Sequence, residues 1–116
     1  VGDGGTILST VSVIGIQQIS GSIPTEFSLS QNYPNPFNPT TKIKFSIPQA
    51  GVENMLPVQM IIYDALGSIV TELVNQELDP GTYEVDFDAG NLASGTYFYR
   101  LEAGDFVKTM KMIVIK

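Results

Sequence analysis

The 116-residue chain contains no cysteine, no histidine and no tryptophan. Without cysteine there is no disulfide framework, no thiolate nucleophile and no cysteine-bearing zinc site. Without histidine the commonest general base, metal ligand and physiological-pH switch are missing. Basic residues are also scarce, at six Lys and Arg against twelve Asp and Glu, a formal net charge of −6. Nucleic-acid binders carry the opposite balance, so no nucleic-acid partner is expected. No apolar run approaches the roughly 18 residues of a membrane span. The start, Val1-Gly2-Asp3-Gly4-Gly5, has no Met, no basic region and no signal-peptide core, and reads as a piece of something longer. What remains is a 43% hydrophobic chain with an ordinary capacity for a core.

Residues 1–24 differ from the rest. Asp3 is their only charged residue, and five glycines punctuate them. They read as a Gly-rich linker with one optional strand in Thr6–Ile19, closed by Ser20-Gly21-Ser22-Ile23-Pro24. From residue 25 to 116 the pattern is strand, turn, strand. Phe27 and Leu29, then Ile43, Phe45 and Ile47, then Tyr83, Val85 and Phe87, then Tyr97, Tyr99, Leu101 and Ala103 alternate with mostly polar residues. That period of two places one face inward and one outward. Val58–Tyr63 is nearly all apolar and suggests a central strand buried on both faces. Ile69–Val74 and Val107–Ile115 complete the set. Turn signals fall between the runs at Pro48–Gly51, Asp64–Gly67, Asp79–Gly81, Ala93–Gly95 and Ala103–Asp105, with Pro80-Gly81 in type II chemistry. About seven short strands at this spacing predict an all-β, antiparallel, immunoglobulin-like sandwich. One echo recurs, Gly81-Thr82-Tyr83 and Gly95-Thr96-Tyr97. It reads as two adjacent hairpin strands built alike, with a recognition role for the tyrosines as the alternative.

No catalytic constellation emerges. The serines sit in turns and on polar faces, and there is no nucleophile elbow or phosphate-binding loop. Glu84, Asp86 and Asp88 share one face of one strand, which reads as a solvated face, whereas glycosidase carboxylates converge across a cleft. A calcium site drawn from Asp79, Asp86, Asp88 or Asp105 has no recognised loop spacing behind it. The chain is therefore read as a non-enzyme without cofactor or metal. Two segments are unusual. Asn32–Thr41 holds Pro34, Pro36 and Pro39, which fix φ and remove three backbone donors. It reads as a stiff, extended sheet-to-sheet crossover with Tyr33 and Phe37 tucked into the sandwich end, or as a displayed recognition loop. The last strand holds Lys108, Lys111 and Lys116, half of the basic residues. A terminal apolar strand is either paired in the sandwich or offers an edge to a partner.

These residues carry a resemblance. From about Glu26 to Lys116 the chain resembles the type A C-terminal sorting domain of the type IX secretion system. The match runs through Phe27–Thr41 with its Asn-Tyr-Pro-Asn-Pro-Phe-Asn-Pro core, Ile62–Gly67, Leu73-Val74-Asn75, Gly81-Thr82-Tyr83, Leu92–Leu101 and the Lys-rich final strand. More distantly, the chain is similar to the immunoglobulin-like module of the flagellar hook-capping protein. The resemblance implies a folded signal that is recognised, during transit through the periplasm, by the type IX translocon and its outer-membrane shuttle protein. A sortase-like cysteine peptidase then removes the signal before the folded domain, within the residues up to Pro24. The cargo is secreted or held at the cell surface. Carried over residue by residue, recognition falls on Pro34, Asn35, Pro36, Gly95, Tyr97, Lys108, Lys111 and Lys116. The chain departs from the family pattern at Phe87, where relatives often have Trp, and in the spacing of Lys108-Thr109-Met110-Lys111. The isolated domain is expected to be monomeric. Two readings stand beside this one. The first is an accessory module that stacks carbohydrate on Tyr33, Phe37, Tyr97 or Tyr99. The second is homotypic pairing through the terminal strand.

Overall fold

The computed structural model describes residues 16–20, 22–49 and 55–116. These residues are all β, in eight strands: β1 (Ile16–Ser20), β2 (Ser28–Leu29), β3 (Thr40–Ile47), β4 (Leu56–Asp64), β5 (Ile69–Leu78), β6 (Gly81–Asp88), β7 (Gly95–Ala103) and β8 (Phe106–Val114). Two four-stranded sheets result, ordered β1-β6-β3-β2 and β5-β4-β7-β8. All strand pairs are antiparallel. Read as β2-β3-β6-β1 and β5-β4-β7-β8, the sheets follow the A-B-E-D and C′-C-F-G order of immunoglobulin domains. The seven expected strands are all there. The optional eighth is β1, which comes from the N-terminal segment and fills the D place along the edge of β6. Residues 6–15 of that expected strand lie outside the described residues, as do Ala50 and Gly51 of the first turn.

Alternation builds the core. Ile43, Phe45 and Ile47 of β3 face inward beside Val85 and Tyr83 of β6, with the Phe45 and Tyr83 rings stacked at 5.5 Å. From the other sheet come Val58, Met60, Ile62, Tyr99, Leu101, Met112 and Val114, all buried. β4 lies at the centre of its sheet, but it is not buried on both faces. Gln59, Ile61 and Tyr63 are only half-buried. Among the described residues nothing covers the outer face of this two-layer sandwich, so an apolar outward residue there packs against its neighbours within the sheet. β5 runs past Val74 to Leu78, because Asn75, Gln76 and Glu77 pair with Gln59, Val58 and Pro57. Two register shifts in this pair hide the period of two that a regular strand would show.

The Gly-Thr-Tyr echo has a different cause from the one expected. β6 and β7 are in opposite sheets and are not hairpin mates. Each copy follows a crossing from one sheet to the other, β5 to β6 and β6 to β7. Tyr83 Oη donates to the Asp79 carbonyl at 2.7 Å, and Tyr97 Oη donates to the Ala93 carbonyl at 2.8 Å. Each tyrosine ties its strand back to the backbone four residues upstream, the tyrosine corner of immunoglobulin folds, here built twice. Pro80-Gly81 accordingly makes a crossing and not a type II turn. Gly81 has φ 156°, far from the roughly +80° that such a turn requires. Tyr83→Phe and Tyr97→Phe keep the packing and remove one part-buried hydrogen bond each. Each is expected to lower unfolding free energy by about 1–2 kcal/mol in urea titrations. A loss below about 0.3 kcal/mol would assign the corners no structural weight.

Candidate recognition surface

β8 is an edge strand, with β7 on one side only. Its other side is taken by the Pro-rich loop. Gln31 Nε2 donates to the Lys111 carbonyl at 2.7 Å. The Ile113 amide donates to Asn35 Oδ1 at 3.0 Å. Phe37 then makes a short parallel bridge, its amide donating to the Ile113 carbonyl at 3.0 Å and its carbonyl accepting from the Ile115 amide at 2.9 Å. The prolines explain this pattern. Pro34 and Pro36 have no N–H, so a full ladder is impossible, and the Asn35 side chain and the Phe37 backbone supply the hydrogen bonds instead. The loop joins β2 and β3, two neighbours in the first sheet, yet it reaches across to the edge of the second. It is thus a clip between the sheets and not a sheet-to-sheet crossover. Its Tyr33-Pro34, Asn35-Pro36 and Asn38-Pro39 peptide bonds are cis.

Two anchors hold the clip. Phe37 is 2% exposed, with its ring edge-on to Phe87 at 6.1 Å. At the base sits Asn32, also 2% exposed. Its side-chain amide donates to the Pro34 carbonyl at 3.1 Å and to Thr41 Oγ1 at 3.0 Å. Thr41 Oγ1 donates in turn to the Pro34 carbonyl at 2.8 Å. The Asn32 backbone amide donates to Tyr99 Oη at 2.8 Å, and Tyr99 Oη donates to the Ser30 carbonyl at 2.7 Å. Burial pushes the Tyr99 phenol up to about 12, against the opposing effect of the Asn32 amide. Burial, then the Asp79 carboxylate, also raises Tyr83. Gln31, Asn32 and Thr41 are outside the expected site residues, and Tyr99 enters them only as a carbohydrate-stacking candidate. The signal was present at Thr41 and Tyr99, which are polar groups at inward positions of alternating strands, where a hydroxyl requires a buried partner.

The expected recognition residues divide into two groups. Pro34, Asn35 and Pro36 are exposed on the clip. Beside them along β8 lies β7, with Gly95 opposite Val114 and Tyr97 opposite Met112. Gly95 is exposed with φ 152°, a backbone setting that side chains rarely adopt. Tyr97 is buried, so its part is to hold the corner. Lys116 joins this end of the sandwich, its amide donating to Ser94 Oγ at 2.9 Å and its Nζ to the Gly90 carbonyl at 2.7 Å. Lys111 is exposed at the upper margin of the clip. Lys108 is exposed but opposes Leu101, roughly 20 Å up the strand from Val114. Thus Pro34–Pro36, Gly95–Tyr97 and Lys111–Lys116 converge, and Lys108 stands apart.

The remaining candidates fare differently. Phe37, Tyr97 and Tyr99 are buried and cannot stack a ligand, which leaves Tyr33 of the four aromatic residues considered. The β8 edge from Lys111 to Ile115 is occupied by the clip, so that stretch offers no free edge to a second copy. Asp86 binds Lys42 at 2.6 Å, and this hydrogen bond raises the Lys42 amine. Asp88 accepts from the Gly90 amide at 2.8 Å. Among the described residues no three acidic side chains are grouped to hold a metal ion, and no helix is long and apolar enough to cross a membrane.

A family model described as the secretion system C-terminal sorting domain matches residues 31–116. The chain belongs to that family. No curated protein matches it. The sorting domain is a C-terminal signal for type IX secretion, which implies export across the outer membrane and then secretion or surface display. Every residue of the clip and of β8 lies inside the matched stretch, whereas β1 and β2 precede it.

Proposed function

We propose that the sorting domain is read as a folded object. The type IX translocon and its outer-membrane shuttle protein bind the end of the sandwich where the clip, the start of β7 and the end of β8 meet. They do so while the cargo is in the periplasm. One observation carries this reading. Two stretches that the sequence keeps about eighty residues apart, Asn35 and Ile113 among them, form one hydrogen-bonded surface only after folding. A sortase-like cysteine peptidase then cuts ahead of the domain, and the cargo is released or attached to surface lipopolysaccharide. Exposed Ser22 and Ile23 support cleavage in this neighbourhood, between β1 and β2, so that β1 leaves the edge of β6 with the cargo. The clip over the β8 edge from Lys111 to Ile115 supports a monomer. The absence of histidine and cysteine supports a domain without catalysis of its own.

The test is a fusion of the whole 116-residue chain behind a reporter carrying a periplasmic signal, in a bacterium with the secretion system. The reporter is expected outside the cell with the domain, and in the periplasm without it. Equal periplasmic retention in both, with the domain shown folded by circular dichroism, would overturn the role. Removing residues 112–116 also deletes buried Met112 and Val114, so export loss in that variant would report unfolding as much as recognition.

A further inference from the structure

Tyr33 is the residue that the fold leaves unexplained. It sits in the middle of the clip's base, yet its side chain is 81% exposed. The sequence suggested that it would tuck into the sandwich end as Phe37 does. Instead its hydroxyl and ring meet no hydrogen-bond or ring partner among the described residues. Its backbone is held firmly all the same. The Tyr33 amide donates to the Lys42 carbonyl and its carbonyl accepts from the Lys42 amide, both at 3.0 Å. On one side Asn32 is fixed by Tyr99, and on the other the Pro34 carbonyl accepts two side-chain donors.

We propose that Tyr33 is the anchor by which a protein of the export machinery grips the sorting domain, its ring entering an apolar socket on that partner. This deepens the export role above and rests on it. A ring on a fixed backbone loses little conformational entropy when captured, and tyrosine supplies a large amphipathic contact with two torsions to freeze. Two cavities also adjoin the residue. A cavity of about 440 Å³ lies against Pro34, Thr40, Thr41, Lys42 and Asp86. Another of about 310 Å³ lies against Ser30, Gln31, Lys42, Lys44 and Glu84. A socket can therefore close around the ring and exclude water, the arrangement of an interface hot spot inside a ring of near-neutral contacts.

Charge narrows the partner. Lys42 is engaged by Asp86 at 2.6 Å. Lys44 is exposed and has no ion pair among the described residues, so a carboxylate on the rim of the socket fits opposite it. A polysaccharide fits less well. Carbohydrate sites need several converging polar groups still open for hydrogen bonding, whereas here there is a single ring and the nearest charged pair is already satisfied.

The experiment uses the reporter fusion with the whole chain. Tyr33→Ala is expected to cut exported reporter at least tenfold, as loss of a hot-spot aromatic does. Its thermal midpoint is expected to stay within about 3 °C of wild type, because the ring is outside the core. Tyr33→Phe is expected to export normally, and Lys44→Glu to export less. If the wild-type fusion is exported and Tyr33→Ala is exported equally well, the anchor is wrong and the export role stands. If the wild-type fusion is not exported, the export role itself fails. Retardation of the wild-type domain in a polysaccharide gel, lost in Tyr33→Ala while export is unchanged, would assign the ring to sugar and overturn the proposal.

Discussion

Phe37→Ala is expected to cost about 3–5 kcal/mol of unfolding free energy, the range for truncating a buried phenylalanine. The ring is 2% exposed and touches Phe87 edge-on, so its removal leaves a cavity between the sheets at the clip. The cost is large against the roughly 5–15 kcal/mol that hold a domain of this size together. It also has a local signature. The Ile115 amide donates to the Phe37 carbonyl, and the Ile113 amide to Asn35 Oδ1. Once the clip loses its anchor, these two amides are expected to exchange with solvent sooner than amides of the central β4–β7 ladder. Phe37→Leu keeps an apolar side chain in the site and is expected to cost less than half as much. Urea titration measures the stability and hydrogen exchange the local opening. A Phe37→Ala loss under 1 kcal/mol, with protected Ile113 and Ile115 amides, would mean that the clip is held by its polar base alone.

Tyr99→Phe removes one oxygen and takes the partner from two backbone groups, the buried Asn32 amide and the part-buried Ser30 carbonyl. The buried orphan costs about 1–3 kcal/mol and the part-buried one about 0.5–1.5, so a total of about 2–4 kcal/mol is expected. The same oxygen gives the domain an alkaline limit. The unfolded phenol ionises near pH 10 and the folded one is pushed up to about 12 by burial. Below pH 10 both states are neutral and the Tyr99 contribution is complete. Between 10 and 12 the unfolded state gives up its proton and the folded state keeps it, so stability falls as pH rises, and the loss is complete above 12. The size of that loss is on the order of 2 kcal/mol. Tyr83 is raised in the same direction by burial and by Asp79, and exposed Lys42 by its bond to Asp86, so wild type carries a slope from all three. The difference in slope between wild type and Tyr99→Phe isolates the buried hydroxyl. Parallel stability curves from pH 9 to 12 would remove it from the account.

The strands were legible because alternation is local. Ile43, Phe45 and Ile47 announce an inward face in five residues, and the structure buries all three. The same local pattern is misleading at β4. A continuous apolar run does not say whether a second layer covers its outer side, and here none of the described residues does. It stopped β5 too early, because Asn75 and Glu77 look like loop until their partners on β4 are known. It took the two Gly-Thr-Tyr copies for neighbours. Repetition in sequence reports a shared local geometry, the corner, and not proximity. Of the site, the Pro-rich segment and the terminal strand both stood out by composition. Their union did not, nor did the roles of Asn32 and Thr41, whose hydrogen bonds depend on backbone groups positioned by other strands.

By itself, then, the chain determined which residues alternate, which prolines lack a donor, which chemistry is impossible without histidine and cysteine, and which family its motifs follow. These are properties of composition and of neighbours in sequence. Only the tertiary structure decided that Asn35 and Phe37 close the edge of the last strand, and that Lys116 pins the terminus while Lys108 stands apart. It alone decided that Phe37 is core and Tyr33 is surface. Each of these depends on contacts between groups as far as 78 residues apart. No local period encodes such contacts, because they form only when two sheets fold onto one another.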